Sequence, residues 1–287
     1  MSWDSGGILR NFVDSSGWIL RNFVDSGGKI LLNSQNPSDF YVKEKTMTLI
    51  EIYHFLDSIS PFETQEAWDN SGILVGKKNS EIKEIFASLE VTKEIAESTP
   101  NNALLIAHHP LIFKPLKNLC ADFYPNNILE ILLRKNIALI AMHTNFDLSH
   151  LNVDFVKNIL GFEEFQQSGF VIKVPFGGDF TQLLTIIKQK LPDSTPKITK
   201  ASDFIENLII VCGAGCGAIG DEMLSKNSCI ITGDVKYHDA MKFLSLGVSA
   251  IDVGHFHSEG HFGAILQKNL LKIGYKCIIP PLQNPIN

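Results

Sequence analysis

From Met47 onward the sequence predicts an α/β fold whose strands run mostly parallel. Two observations predict it. Short β-branched apolar runs alternate with segments of helical periodicity, a pattern that implies crossover connections and a sheet covered on both faces. Most of the nine histidines fall just past the end of such a run, and ligands in open α/β sheets bind beyond the carboxyl ends of the strands.

The first 46 residues read differently. Ile-Leu-Arg-Asn-Phe-Val-Asp-Ser occurs at 8–15 and again at 19–26. Solenoid repeats need longer units and at least three copies, so the pair resembles a duplicated stretch of coding DNA. Residues 1–46 are expected to be a disordered extension or a mis-annotated start, because nothing in them can bury a core. An amphipathic tether is the functional alternative. Five acidic and five basic residues cancel there, so 47–287 carries the whole net charge of -6.

Thr48-Leu49-Ile50-Glu51 has the spacing of a capping box. Leu49, Ile52, Leu56 and Ile59 then share one helical face, which Pro61 closes. Strands are expected at 82–91, 103–107, 137–142, 208–212, 229–232, 250–253 and 276–279. Helices are expected at 128–135, 153–160, 181–190, 239–246 and 262–271, with Gly161 and Gly247 as stops.

Composition narrows the function classes. The chain is 45% apolar and 20% charged, which is ordinary for a globular protein. No run approaches the ~18 apolar residues of a membrane span, and the N-terminus lacks a basic start and an unbroken apolar core. A net charge of -6 disfavours grip on a phosphate backbone, which depends on Lys and Arg. Direct nucleic-acid binding is therefore not expected. The five cysteines are scattered and form no C-x-x-C. Reduced thiols and a cytoplasmic location are the expectation.

Four strand ends carry chemistry. They are His108-His109-Pro110, His143-Thr-Asn-Phe-Asp147, Asp234-Val-Lys236-Tyr237-His238-Asp239, and His255-Phe-His257-Ser-Glu259. A single such histidine is more simply a hydrogen-bonded loop residue. Four sets in one domain favour a shared site, and imidazole with carboxylate is the donor set of borderline divalent metals. Successive side chains diverge on an extended backbone, so His108 and His109 would each serve a different ion. His255 and Glu259 lie four apart and would share a helical face, where the carboxylate could bridge two ions. Asp147 would supply a second carboxylate. Strand-end reasoning alone does not exclude His143, His238 or His257 as ligands.

Together these segments, with Ala67-Trp68-Asp69-Asn70-Ser71-Gly72 ahead of them, resemble the ordered motifs of the GTP cyclohydrolase I type 2 homologue family, also called Nif-like. The likeness runs from about Met47 to the C-terminus. It implies two α/β/α lobes with mostly parallel or mixed sheets and a dinuclear metal cleft between them, in the short form without an inserted domain. It implies a toroidal homohexamer built as a trimer of dimers. By position, His108, His109, Asp147, His255 and Glu259 match the family's metal ligands. Zn, Fe, Mn and Co suit that set almost equally. One departure stands out: Glu90 occupies a position where the family usually has Asp, which touches a loop or supporting contact, not the ligands.

Gly213-Ala-Gly215-Cys-Gly-Ala218 fits a dinucleotide fingerprint, with Asp234 near the spacing of a ribose-binding acid. A dinucleotide site would leave the histidine motifs unexplained, so a tight turn at the rim of the cleft is the better reading. Cys212 and Cys216 fit small residues in that turn better than ligands. Lys236, Tyr237 and His238 would open a helix whose N-terminus favours anions, which makes Lys236 a candidate for acting on substrate. His143 and His238 could move protons at neutral pH. Support of a metal ligand is an equal reading for each. His150 and His261 are candidates for supporting contacts only.

The expected function is a metal-dependent hydrolase of a purine nucleotide. The resemblance implies attack by a metal-bound hydroxide on the imidazole ring of GTP. A phosphohydrolase acting on a nucleotide or another phosphate-bearing small molecule is the near alternative. A hexameric metal-binding scaffold without turnover, engaging a regulatory partner, is the non-enzymatic one.

Overall fold

The structure, a computed structural model, describes residues 47–286 in full and, before them, only the backbone of four short strands. The chain divides into two compact units, Met1–Met47 and Thr48–Asn287. In the first, the duplicated segment supplies strands Ile8–Val13 and Trp18–Val24, paired antiparallel with Ile8 opposite Val24. The expectation of a disordered or mis-annotated extension otherwise falls outside the described residues.

The second unit opens on the expected helix, Leu49–Ile59. The side chain of Thr48 accepts from the Glu51 N–H while the Glu51 carboxylate accepts from the Thr48 N–H, so the capping box is complete. Leu49, Ile52 and Leu56 are its buried face.

Two sheets follow. The first has the order Cys277–Ile278, Ile85–Ser88, Leu104–Ala107, Ala138–Ala141, Gly72–Val75. Its first four strands are parallel and the last is an antiparallel edge. Strands buried on both faces need continuous apolar sequence, and Leu-Leu-Ile-Ala at 104–107 and Ala-Leu-Ile-Ala at 138–141 are fully buried. Leu105 and Leu139 pack against Ile95, Ile128 and Leu132 from helices Lys93–Ser98 and Asn126–Arg134.

The second sheet has the order Gln166–Ser168, Val171–Asp179, Phe204–Ile210, Ser228–Thr232, Ser249–Asp252, Lys197–Thr199. Its three strands from 204 to 252 are parallel, with antiparallel strands on both sides. Ile209, Ile230 and Ala250 pack on Phe243 of helix Tyr237–Ser245. The chain then returns through helix Phe262–Lys272 to the first sheet at Cys277.

The expected parallel cores are present, and the differences lie at the edges. The expected strand at 82–91 is two pieces, Glu81–Ile82 and Ile85–Ser88, and the chain turns after Ser88. Val171–Asp179 was not expected, because Pro175 and Gly177-Gly178 break its apolar pattern; the register shifts between Pro175 and Gly178. Gln166–Ser168 and Lys197–Thr199 are short polar edge strands with no apolar run to detect. The helix expected at 153–160 begins nine residues earlier, at Thr144, with π-helical turns at Asp147–Leu151 and Phe155–Leu160. Among the described residues no helix is long and apolar enough to cross a membrane.

Candidate metal centre

The carboxyl ends of the parallel strands in both sheets feed one cluster. His108 and His109 follow Leu104–Ala107, and His143 and Asp147 follow Ala138–Ala141. From the second sheet, His255 comes just beyond Ser249–Asp252 and opens helix His255–Glu259, which carries Glu259 one turn on. Gly254, at φ +85, supplies the left-handed backbone that turns strand into helix.

Glu259 sits at the centre, 3% exposed. Its Oε2 lies 2.9 Å from His255 Nε2, 3.2 Å from His109 Nε2 and 3.8 Å from His108 Nε2. Asp147 Oδ1 is 3.4 Å from His108 Nε2. The Nε2 atoms of His109 and His255 are 3.2 Å apart. Despite these approaches, His108 Nε2, Asp147 Oδ1 and Glu259 Oε2 are buried without a hydrogen bond. Each orphaned polar atom costs about 1–3 kcal/mol, and they converge as lone pairs do around a cation. Three groups have ligand atoms within 4.8 Å of one another and can hold an ion. They are His109, His255 and Glu259; His108, Asp147 and Glu259; and His108, His109 and His143.

The rings converge because each Nδ1 is held from behind. His108 Nδ1 lies 2.8 Å from the Met142 carbonyl oxygen, His109 Nδ1 2.6 Å from Glu90 Oε1, and His255 Nδ1 2.7 Å from Asp234 Oδ2. His143 Nδ1 lies 2.8 Å from Asp69 Oδ1. These acceptors fix the proton on Nδ1 and leave every Nε2 facing the cluster, an arrangement that orients histidine ligands and raises their basicity. Asp69 is itself fixed by donation from the Thr144 N–H and hydroxyl. Asp234 holds its pose with φ +54.

The glycine turn completes the wall. Gly213, at φ +59, leaves no room for a side chain: a Cβ there would stand 1.9 Å from Glu259 Oε1. Its carbonyl accepts from the Gly233 N–H at 2.8 Å, and its N–H donates to Ser258 Oγ at 2.9 Å. The turn leads into a four-residue 3₁₀ segment, Gly215–Ala218, not the long helix of a dinucleotide fold, and Asp234 serves His255. The glycines make a tight turn, as expected, but Gly213 is buried against Glu259 and not at the rim.

Charge follows from this geometry. Burial lowers the His109 pKa, but the Glu259 and Glu90 carboxylates outweigh it and raise it to about 10. His255 is likewise lowered by burial and raised, net to about 9, by Glu259 and Asp234. Burial and the neighbouring Glu259 charge push Asp147 above the usual carboxylate range. Burial opposes ionisation of Glu259, yet the surrounding imidazoles hold it well below that range. Asp69 is also pulled down against its burial, by His143 and Thr144.

The five residues expected as ligands thus meet at one point. His143 joins them, its ring centroid 5.1 Å from that of His108 and 5.4 Å from that of His109. Lys236 and His238 do not: both are exposed at the start of helix Tyr237–Ser245, and among the described contacts neither touches the cluster. His257 packs beside Phe256 and Gly254. His150 stacks on Phe146 and His261 on Phe155. Sequence reasoning missed Asp69 and Asp234 as partners of the imidazoles, and gave Glu90 only as part of a loop or supporting contact without naming His109. Asp234 follows the end of an expected strand, whereas Asp69 precedes the unexpected strand Gly72–Val75 and Glu90 falls within the strand expected at 82–91. The Glu90 departure has a structural meaning, since the longer side chain reaches His109 directly.

Residues 47–279 match the family described as Duf34/NIF3 (NGG1p interacting factor 3). A Helicobacter pylori protein named GTP cyclohydrolase 1 type 2 is 46% identical over 237 residues, covering 82% of this chain and 97% of that protein. A Campylobacter jejuni protein named GTP cyclohydrolase 1 type 2 homolog is 42% identical over 248 residues, covering 83% and 98%. The Staphylococcus aureus protein SA1388 has a crystal structure similar to this fold, with a TM-score of 0.74 at 23% identity over 84% of this chain and 98% of that one. With two mixed sheets, a histidine–carboxylate cluster at their strand ends and these likenesses, the chain belongs to the Duf34/NIF3 family.

Proposed function

We propose that the protein is a metal-dependent hydrolase of a purine nucleotide, and that the cluster would hold two divalent cations with Glu259 contributing to both. One cation would be held by His109, His255 and Glu259, the other by His108, Asp147 and Glu259. The carrying observation is the convergence of three buried, hydrogen-bond-free atoms, His108 Nε2, Asp147 Oδ1 and Glu259 Oε2. Zn, Fe, Mn and Co all suit this donor set. When bound, such a pair supplies activation of water at neutral pH and stabilisation of charge developing on the substrate.

The chain's own residues do the rest. Glu90, Asp234 and the Met142 carbonyl hold three imidazoles in place. His143 has its Nδ1 fixed by Asp69, so its Nε2 is the atom that can pass a proton to or from a reacting group beside the cluster. The names of the Helicobacter and Campylobacter relatives favour GTP as substrate, with hydrolytic opening of its imidazole ring and departure of C8 as formate. Lys236 and His238 would act only through a substrate long enough to reach the rim. Assembly as a homohexamer, a trimer of dimers in the cytoplasm, belongs to the same reading.

The test is elemental analysis of protein purified without added metal, followed by incubation of the loaded protein with GTP. Two ions per chain and release of formate are expected. Release of phosphate alone would make the protein a phosphohydrolase. Metal retention with neither product under Zn, Fe, Mn or Co would overturn the hydrolase reading in favour of a scaffold.

A further inference from the structure

Beside the cluster lies a cavity of about 410 Å³, bordered by Pro110, Phe113, Lys114, Lys117, Phe123 and Tyr124. That volume falls within the range of small-molecule sites. It begins at Pro110, the residue after His109. On the other side Phe113 meets two further rings. Trp68 and Phe113 are 5.8 Å apart between centroids, and His143 is 6.0 Å from the first and 6.2 Å from the second. Two aromatic side chains, Phe113 and Trp68, therefore run from the cavity to the His143 imidazole, which adjoins His108 and His109.

Open aromatic and cationic side chains stand in this wall and, with Trp68, beside it. Trp68 is 58% exposed and Phe113 42%, although each is large enough to anchor a core. Lys114 and Lys117 are exposed and take part in none of the ion pairs among the described residues, in a domain whose net charge is -6. Open aromatic faces stack on planar bases whatever their sequence, and unpaired ammonium groups attract phosphate.

We propose that this cavity is a recognition subsite for a planar heterocycle bearing an anionic tail. The ring lies at the mouth of the cavity, on Phe113 and the adjoining Trp68 next to His143, and the anion rests against Lys114 and Lys117 in its wall. The inference rests on the hydrolase reading for its choice of ligand, and it deepens that reading by giving base and phosphate separate contacts.

Trp68 is its own reporter. The chain has three tryptophans, and replacing Trp3 and Trp18 by Phe leaves Trp68 alone. In that full-length, metal-loaded background, rapid mixing with GTP, guanosine or inorganic phosphate reads occupancy before turnover. GTP and guanosine are expected to quench the emission, and phosphate is not. Phe113→Leu should weaken both nucleoside ligands roughly tenfold. Lys114→Ala with Lys117→Ala should weaken GTP by a similar factor, remove most of its salt dependence and leave guanosine unchanged. Emission unmoved by GTP and guanosine would overturn the proposal, as would parental GTP affinity in the lysine variant. So would emission that responds only to protein concentration, which would mean a second copy covers the wall. Formate release with a silent Trp68 sinks the subsite but not the hydrolase. Quenching without any product does the reverse.

Discussion

At Glu259 one carboxylate oxygen lies within 3.8 Å of three imidazole nitrogens, so in the proposed function this side chain governs both cations together. Glu259→Gln keeps the shape and removes the charge. On the proposed two-ion hydrolase reading, elemental analysis should show metal content falling from two ions to fewer than one, with turnover down by at least about a thousandfold. A retained pair would contradict the contribution of Glu259 to both groups. Removal of Glu90 acts through another residue: Glu90→Gln weakens the hold on His109 Nδ1, and metal affinity should drop about 10–100-fold by competition with a chelator. Gly213→Ala tests the wall. Its φ of +59 costs an alanine roughly 1–2 kcal/mol, and its Cβ would displace the Glu259 carboxylate. Calorimetry should show a lower Tm together with loss of metal.

The elements decide how two halves of one site stay in register. The helical run from Thr144 widens to π geometry at Asp147–Leu151, a form frequent at functional sites. Buried Asn152 spans the join: its Nδ2 donates to the Asp147 carbonyl at 3.1 Å, and its Oδ1 accepts from the Cys212 N–H at 2.7 Å. One amide thus ties the first sheet's ligand helix to the second sheet's glycine turn. Asn152→Ala leaves the Cys212 N–H unpaired in the interior. It should destabilise the domain by about 1–3 kcal/mol in denaturant unfolding and weaken metal binding as well.

For the molecule as a whole, proton and metal compete for the same cluster. In the metal-free protein, His109 and His255 have pKa values raised to about 10 and about 9. Raised pKa values in bases add stability that is fully present below the unfolded pKa of about 6.5 and lost as pH rises through 9 to 10. Metal binding needs both rings deprotonated, so it should release protons and tighten as pH rises over the same window. Thermal scans should therefore show a metal-free Tm that falls from pH 6.5 to 10, and a gain in Tm from added metal that grows. A flat difference across that range would contradict the assignment of His109 and His255 as ligands.

The local signals were strong in the sequence. A capping box, buried Leu-Ile-Ala runs and glycine stops depend on neighbouring residues, and the strand ends marked the segments holding His108 and His109, His143 to Asp147, Asp234 to Asp239 and His255 to Glu259 as candidates, whereas the choice of His108, His109, Asp147, His255 and Glu259 among them came from the family resemblance. The irregular edges were not legible, since Pro175 and the polar residues at 197–199 form strands only where a neighbouring strand offers hydrogen bonds. Nor was the support of the site. Asp69 and His143 are 74 residues apart and His109 and His255 are 146 apart. Only the packing of two sheets with their strand ends on one cleft decides which imidazole each carboxylate holds. Periodicity fixes which face a residue takes, whereas a ligand set is a matter of distance in space.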